Sequence, residues 1–211
     1  MVYILKHIVL RGIFRFQNNL LILAVLISCT PKSEKSTLFQ ELPSSSTNIQ
    51  FVNEVLDQED FNIFNYRNFY NGGGVAIGDV NNDSLPDIFL ISNLGENKLY
   101  LNRGNFKFED ITPTAGVKGT KAWSTGVTFA DVNGDGFVDI YVCNSGNRER
   151  DDRSNELFIN QGNETFVEKA GAYGLADTGF STHAAFFDYD RDGDLDMYLL
   201  NNSFIPLGQL N

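Results

Sequence analysis

Beyond residue 70 the chain alternates short apolar runs with acidic or glycine-bearing breaks. Gly74-Val-Ala-Ile-Gly-Asp79 is followed, after a polar break, by Asp87-Ile-Phe-Leu-Ile91. The same order returns as Gly126-Val-Thr-Phe-Ala-Asp131 with Asp139-Ile-Tyr-Val-Cys143, and as His183-Ala-Ala-Phe-Phe-Asp188 with Asp196-Met-Tyr-Leu-Leu200. Runs this short, rich in β-branched, aromatic and aliphatic residues, predict buried strands, and each pair predicts a hairpin. The steps are 52 residues from Asp79 to Asp131 and 57 from Asp131 to Asp188.

A third run follows as Asn97-Lys-Leu-Tyr-Leu-Asn102 and Asn155-Glu-Leu-Phe-Ile-Asn160. A fourth begins at a turn glycine, as Gly104-Asn-Phe-Lys-Phe-Glu-Asp110 and Gly162-Asn-Glu-Thr-Phe-Val-Glu168. Four strands per fixed period imply stacked units that bury their faces against one another. The expected fold is all-β, a partial β-propeller of four-stranded blades. Its repeats span 71–123, 124–180 and, incompletely, 181–211.

The breaks between the first two strands carry the chemistry. They read Asp79-Val-Asn-Asn-Asp-Ser-Leu-Pro-Asp87, Asp131-Val-Asn-Gly-Asp-Gly-Phe-Val-Asp139 and Asp188-Tyr-Asp-Arg-Asp-Gly-Asp-Leu-Asp196. Side-chain oxygens stand at positions 1, 3, 5 and 9: Asp79, Asn81, Asp83 and Asp87; Asp131, Asn133, Asp135 and Asp139; Asp188, Asp190, Asp192 and Asp196. Calcium takes about 6–8 oxygen ligands, and short alternating side chains with one backbone carbonyl supply most of such a shell. No thiolate or imidazole is offered, which disfavours zinc and copper. An EF-hand needs a bidentate Glu at position 12 between helices. Here that position is Leu90, Val142 and Leu199, inside strands. Gly136 and Gly193 permit the sharp turn at position 6, where loop one has Ser84. Loop three alone has carboxylates at all four side-chain positions and is expected to bind calcium most tightly.

The net charge of −11 is concentrated in these loops, which hold three, three and five aspartates. Nucleic acid is excluded as a partner, because phosphate binding needs a Lys/Arg stripe and none appears outside the leader.

The amino terminus reads as an address. Lys6, Arg11 and Arg15 precede the uncharged run Leu20-Leu-Ile-Leu-Ala-Val-Leu-Ile27, then Ser28 and Cys29. This is the layout of an export signal over 1–28, and the run falls short of the roughly 20 residues a spanning helix needs. Leu26-Ile27-Ser28-Cys29 resembles a bacterial lipobox, which implies cleavage before Cys29, lipidation of its thiol and a membrane-anchored lipoprotein at the outer membrane or cell surface. A plain secretory signal with an incidental cysteine is the alternative. Residues 29–47, rich in Ser, Lys and Pro, read as a flexible tether, and 48–70 as an aromatic lead-in. Cys143 aligns with Ile91 and Leu200 and is expected to be a buried structural thiol.

The order apolar strand, Asp-x-Asn/Asp-x-Asp loop, Asp-Ile/Met-aromatic strand and Asn-x-Leu-aromatic over residues 71–211 resembles the FG-GAP/VCBS repeat, the blade of integrin-α-type propellers. Phe108-Glu-Asp-Ile-Thr112 with Ala115-Gly116-Val117, and Phe166-Val-Glu-Lys with Tyr173-Gly174-Leu175, resemble the blade joins of bacterial and cartilage-acidic-protein-like members, often associated with an ASPIC/UnbV domain. The resemblance implies calcium at three sites, with the carbonyls of Leu85, Phe137 and Asp194 as seventh-position ligands. Closed propellers use about 4–8 blades, so further carboxy-terminal blades of a longer chain are expected partners.

The function expected is a non-enzymatic surface module displaying blade loops to a protein or glycan. The alternatives are the propeller part of an enzyme acting on extracellular polysaccharide, with a carboxylate or His183 as acid or base, and a purely structural calcium-dependent scaffold. His183 replaces the glycine of the other repeats, which favours a packing role. The insert at 147–154 is a candidate recognition loop, with a solvated loop as the plainer reading.

Overall fold

In the computed structural model, residues 38–121, 123–146 and 152–202 are described. The chain divides into two units, residues 1–41 and 42–211, and every element below belongs to the second. The signal segment, Cys29 and most of the 147–154 insert lie outside the described residues.

One helical turn, α1 (Ser44–Thr47), opens the second unit within the stretch read as a tether. Two four-stranded antiparallel sheets follow in simple sequential order. The first is β1 (Val75–Gly78), β2 (Asp87–Leu90), β3 (Lys98–Asn102) and β4 (Phe108–Asp110). A one-turn helix, α2 (Thr112–Ala115), leads to the second sheet, β5 (Ser124–Ala130), β6 (Asp139–Asn144), β7 (Glu156–Asn160) and β8 (Phe166–Glu168). After α3 (Ala170–Tyr173) comes a two-stranded sheet, β9 (Ser181–Phe187) with β10 (Asp196–Asn201). These are the blades expected from the repeat. The fourth strand starts at Phe108 and Phe166, four residues after the turn glycines, because left-handed residues extend the turn: Asn105 and Phe106 (φ 52° and 55°) in the first blade and Glu164 (φ 65°) in the second. The one-turn helices between blades end at Gly116 and Gly174, both left-handed at φ 77° and 72°.

Blades pack face to face. Phe89, Ile91, Leu99 and Leu101 of the first blade meet Val127, Ile140, Val142 and Phe158 of the second in one buried cluster. Tyr141, Cys143, Leu157 and Ile159 of the second meet Ala184, Phe186, Met197 and Leu199 of the third. Each fully buried aliphatic or aromatic side chain contributes roughly 1.5–3 kcal/mol. The first strands of the blades come very close. A Cβ on Gly126 would collide with the Thr182 carbonyl oxygen, and one on Gly74 would lie 3.4 Å from the Gly126 Cα. Threonines stitch the same seam, Thr125 Oγ1 donating to the Ser181 carbonyl at 2.7 Å and Thr128 Oγ1 to that of Ala184 at 2.6 Å.

The lead-in supplies a plug. Phe61, Tyr66 and Phe69 surround Trp123 with ring centroids 5.0–5.4 Å apart, and the Tyr66 hydroxyl meets Ser145 Oγ at 3.1 Å. Cys143 is fully buried in β6, and burial pushes its thiol up to about 12. In a Cys29→Ser chain, Cys143 will therefore resist a thiol reagent at pH 8 and react at once in denaturant; rapid labelling of the folded chain would contradict this placement.

Candidate metal sites at the blade hairpins

Each acidic loop is the turn of a β1–β2-type hairpin, so register brings its ends together. Gly78 pairs with Asp87, Ala130 with Asp139 and Phe187 with Asp196. Left-handed backbone recurs at loop position 4 (Asn82 59°, Gly134 71°, Arg191 65°) and position 6 (Ser84 67°, Gly136 88°, Gly193 95°). Ser84 thus takes the turn that glycine takes elsewhere, and loop one keeps the geometry of loop two despite the strain of a left-handed non-glycine residue.

The internal bonds of loops one and two match. The position 1 carboxylate accepts from the position 5 and 6 amides: Asp79 from Asp83 (3.1 Å) and Ser84 (2.7 Å), Asp131 from Asp135 (3.1 Å) and Gly136 (2.9 Å). The position 5 carboxylate accepts from the position 7 amide, Asp83 from Leu85 at 2.8 Å and Asp135 from Phe137 at 2.9 Å. In loop three Asp188 accepts from Gly193 at 3.3 Å, and Asp192 from Asp194 at 3.1 Å. These bonds fold each loop back on its first and fifth residues.

Position 9 behaves differently. Asp87 and Asp139 are fully buried, and each oxygen accepts a backbone N–H. Asp87 binds Val80 (2.9 Å) and Asn102 (2.8 Å); Asp139 binds Val132 (3.0 Å) and Asn160 (2.8 Å). Burial raises both carboxyls above their usual range, with the aspartates at positions 5 and 1 adding to the shift, while the backbone donors oppose it. These two aspartates staple the loop to the end of the third strand as well as facing the loop.

In loop three, carboxylate oxygens of Asp188, Asp190 and Asp196 lie within 4.8 Å of one another, the one such trio among the described residues. Two oxygens each about 2.3–2.6 Å from a shared calcium ion can be at most about 5 Å apart, so the trio fits one coordination shell. Asp194 is raised by its hydrogen bond to Asp192 and by the charges of Asp192, Asp196 and Asp190, a repulsion that a cation would relieve. The donors are oxygens throughout, and the residues present fit a calcium ion.

The family model of the FG-GAP-like repeat matches residues 60–142 and 144–199. The chain belongs to the FG-GAP-like repeat family. It is similar to cartilage acidic protein 1 of Mus musculus, 30% identical over 138 residues, which are 63% of this chain and 20% of that protein. The Homo sapiens protein of the same name is 42% identical over 76 residues, 36% of this chain and 12% of its own. The Xenopus tropicalis one is 41% identical over 78, again 36% and 12%. The matches thus span at most a fifth of these relatives.

Asparagines of the third strand are the part of the FG-GAP hairpin that sequence reasoning missed, although their recurrence at 102 and 160 signals them. Asn102 Nδ2 donates to the Pro86 carbonyl at 3.1 Å, and Asn160 Nδ2 to that of Val138 at 3.1 Å, just before the position 9 aspartate. At the other end of that strand, Asn155 Nδ2 donates to the Tyr141 hydroxyl at 2.9 Å, which itself donates to the Leu175 carbonyl at 2.8 Å. In the first blade Phe89 stands where Tyr141 does, and Asn97 Nδ2 is buried without a partner. Phe89→Tyr restores the missing hydroxyl and will stabilise the fold by about 1 kcal/mol, raising Tm by roughly 2–4 °C. A lower Tm would show that the first blade has no room for it.

His183 is exposed, and its Cα would lie 3.2 Å from a Cβ on Gly126. Of the insert, Asp152 accepts from Lys121 Nζ at 2.6 Å, the contact that chiefly holds its carboxyl below the usual range.

Proposed function

We propose that this chain is a calcium-binding, non-enzymatic propeller module of an exported protein, anchored through Cys29 and displaying blade loops to a protein or glycan. The observation that carries the reading is the recurrence of one oxygen-lined turn at the same hairpin of all three blades, with the Asp188, Asp190 and Asp196 oxygens close enough to share an ion. The ligands proposed are the side chains at positions 1, 3, 5 and 9 and the carbonyls of Leu85, Phe137 and Asp194. When bound, calcium supplies charge compensation at the hairpin, and the chain's own residues fix blade geometry around it. The similarity to cartilage acidic protein 1 supports an extracellular setting. No described helix is long and apolar enough to cross a membrane.

The test is binding of the full chain to protein and glycan arrays in calcium and in chelator. Saturable, calcium-dependent capture by a defined class of ligand is expected. Capture of nothing would leave a purely structural scaffold, and turnover of a polysaccharide would restore the enzyme reading.

A further inference from the structure

We propose that the calcium loops of the first two blades are coupled through Asn160, so that filling one favours filling the other; this rests on the calcium reading above. Asn160 is 3% exposed and every polar group of its side chain is used. Its backbone N–H donates to Asp139 Oδ1 at 2.8 Å, and its Nδ2 donates across the blade interface to the Val80 carbonyl at 2.8 Å. Its Oδ1 accepts from Gly162 at 2.9 Å. The N–H of Val80 in turn donates to Asp87 Oδ2 at 2.9 Å. Three short hydrogen bonds therefore run from the ninth residue of loop two, through Asn160 and Val80, to the ninth residue of loop one.

All four residues are at most 3% exposed, so water does not compete for these bonds and a shift at one end is felt at the other. A second link lies on the surface, where Asn82 Nδ2 at position 4 of loop one donates to the Gly136 carbonyl of loop two at 3.0 Å. Among the described residues no hydrogen bond joins 188–196 to 131–139, and loop three serves as the comparison. An ion that draws on Asp139 shifts its strand end and Asn160 with it, and Asn160 holds the second peptide of loop one in place. Linkage makes the effect reciprocal.

Calcium calorimetry on the full chain tests this with four variants. Disabling loop two by Asp131→Asn with Asp135→Asn should weaken calcium at loop one at least about five-fold, and more than disabling loop three by Asp190→Asn with Asp192→Asn. Asn82→Gly removes the surface link without backbone strain, since Gly134 holds the same left-handed position in loop two, and should lower the coupling in part. Asn160→Ala should abolish most of it; should that chain fail to fold, the loop-disabling pair and Asn82→Gly still decide. Equal effects of the two loop knock-outs on loop one, or none, would overturn the coupling while leaving calcium binding intact. No calcium uptake by the unaltered chain would overturn the calcium reading itself, and this one with it.

Discussion

Asp139→Ala will destabilise the metal-free chain by about 2–5 kcal/mol, measured by denaturant unfolding in chelator. The substitution leaves two backbone donors, Val132 N and Asn160 N, without their acceptor at a fully buried position, and each such loss costs about 1–3 kcal/mol. Asp139→Asn keeps one acceptor oxygen and should fall between. Working without metal separates the staple from any role as a ligand; a loss well below 1 kcal/mol would mean that these bonds are replaced by water. Asp87→Ala should behave alike, since Asp87 makes the same pair of bonds in the first blade.

Saturating calcium will raise Tm by about 10 °C or more over the chelated chain. An ion held only by the folded state stabilises by roughly 2.7 kcal/mol at a hundred-fold excess over Kd. At this chain length 1 kcal/mol shifts Tm by about 2–4 °C, and three loops contribute. The pH dependence has a definite sign. Asp87 and Asp139 bind protons more readily folded than unfolded, because burial raises their folded pKa above 3.8. These two groups therefore subtract stability from the metal-free chain as pH rises from about 3.8 through those raised values, and hold that deficit above them, while the lowered carboxyls of Asp152, Asp110 and Glu96 act in the opposite sense. Calcium should reverse the trend, because it competes with those protons. Thermal melts from pH 4 to 7.5, with and without calcium, check both statements; identical curves would deny the loops any ion.

Strand order and the hairpin loops were legible because the repeat displays the same pattern several times, and register carries each Asp-to-Asp spacing directly into a turn. The close approach at Gly126 was visible only as an unexplained glycine, since the Thr182 carbonyl it accommodates belongs to the next blade. Asn160 shows the same limit: its partner Val80 is eighty residues away, and nothing local distinguishes a strand-end asparagine from a surface one. The lead-in aromatics lack a period because they form neither strand nor helix but converge from a looped segment onto Trp123. Glu156 looks like an exposed strand residue, yet it is buried and accepts from the Thr120 amide and hydroxyl at 2.9 and 2.8 Å, locking the link between blades.

Calorimetric titration of the full chain with calcium, with magnesium as control, decides whether the three hairpin loops hold ions. About three equivalents of calcium, little heat from magnesium, and loss of the tightest site on Asp190→Asn are expected. No saturable calcium uptake, or uptake indifferent to Asp190, would contradict the calcium reading.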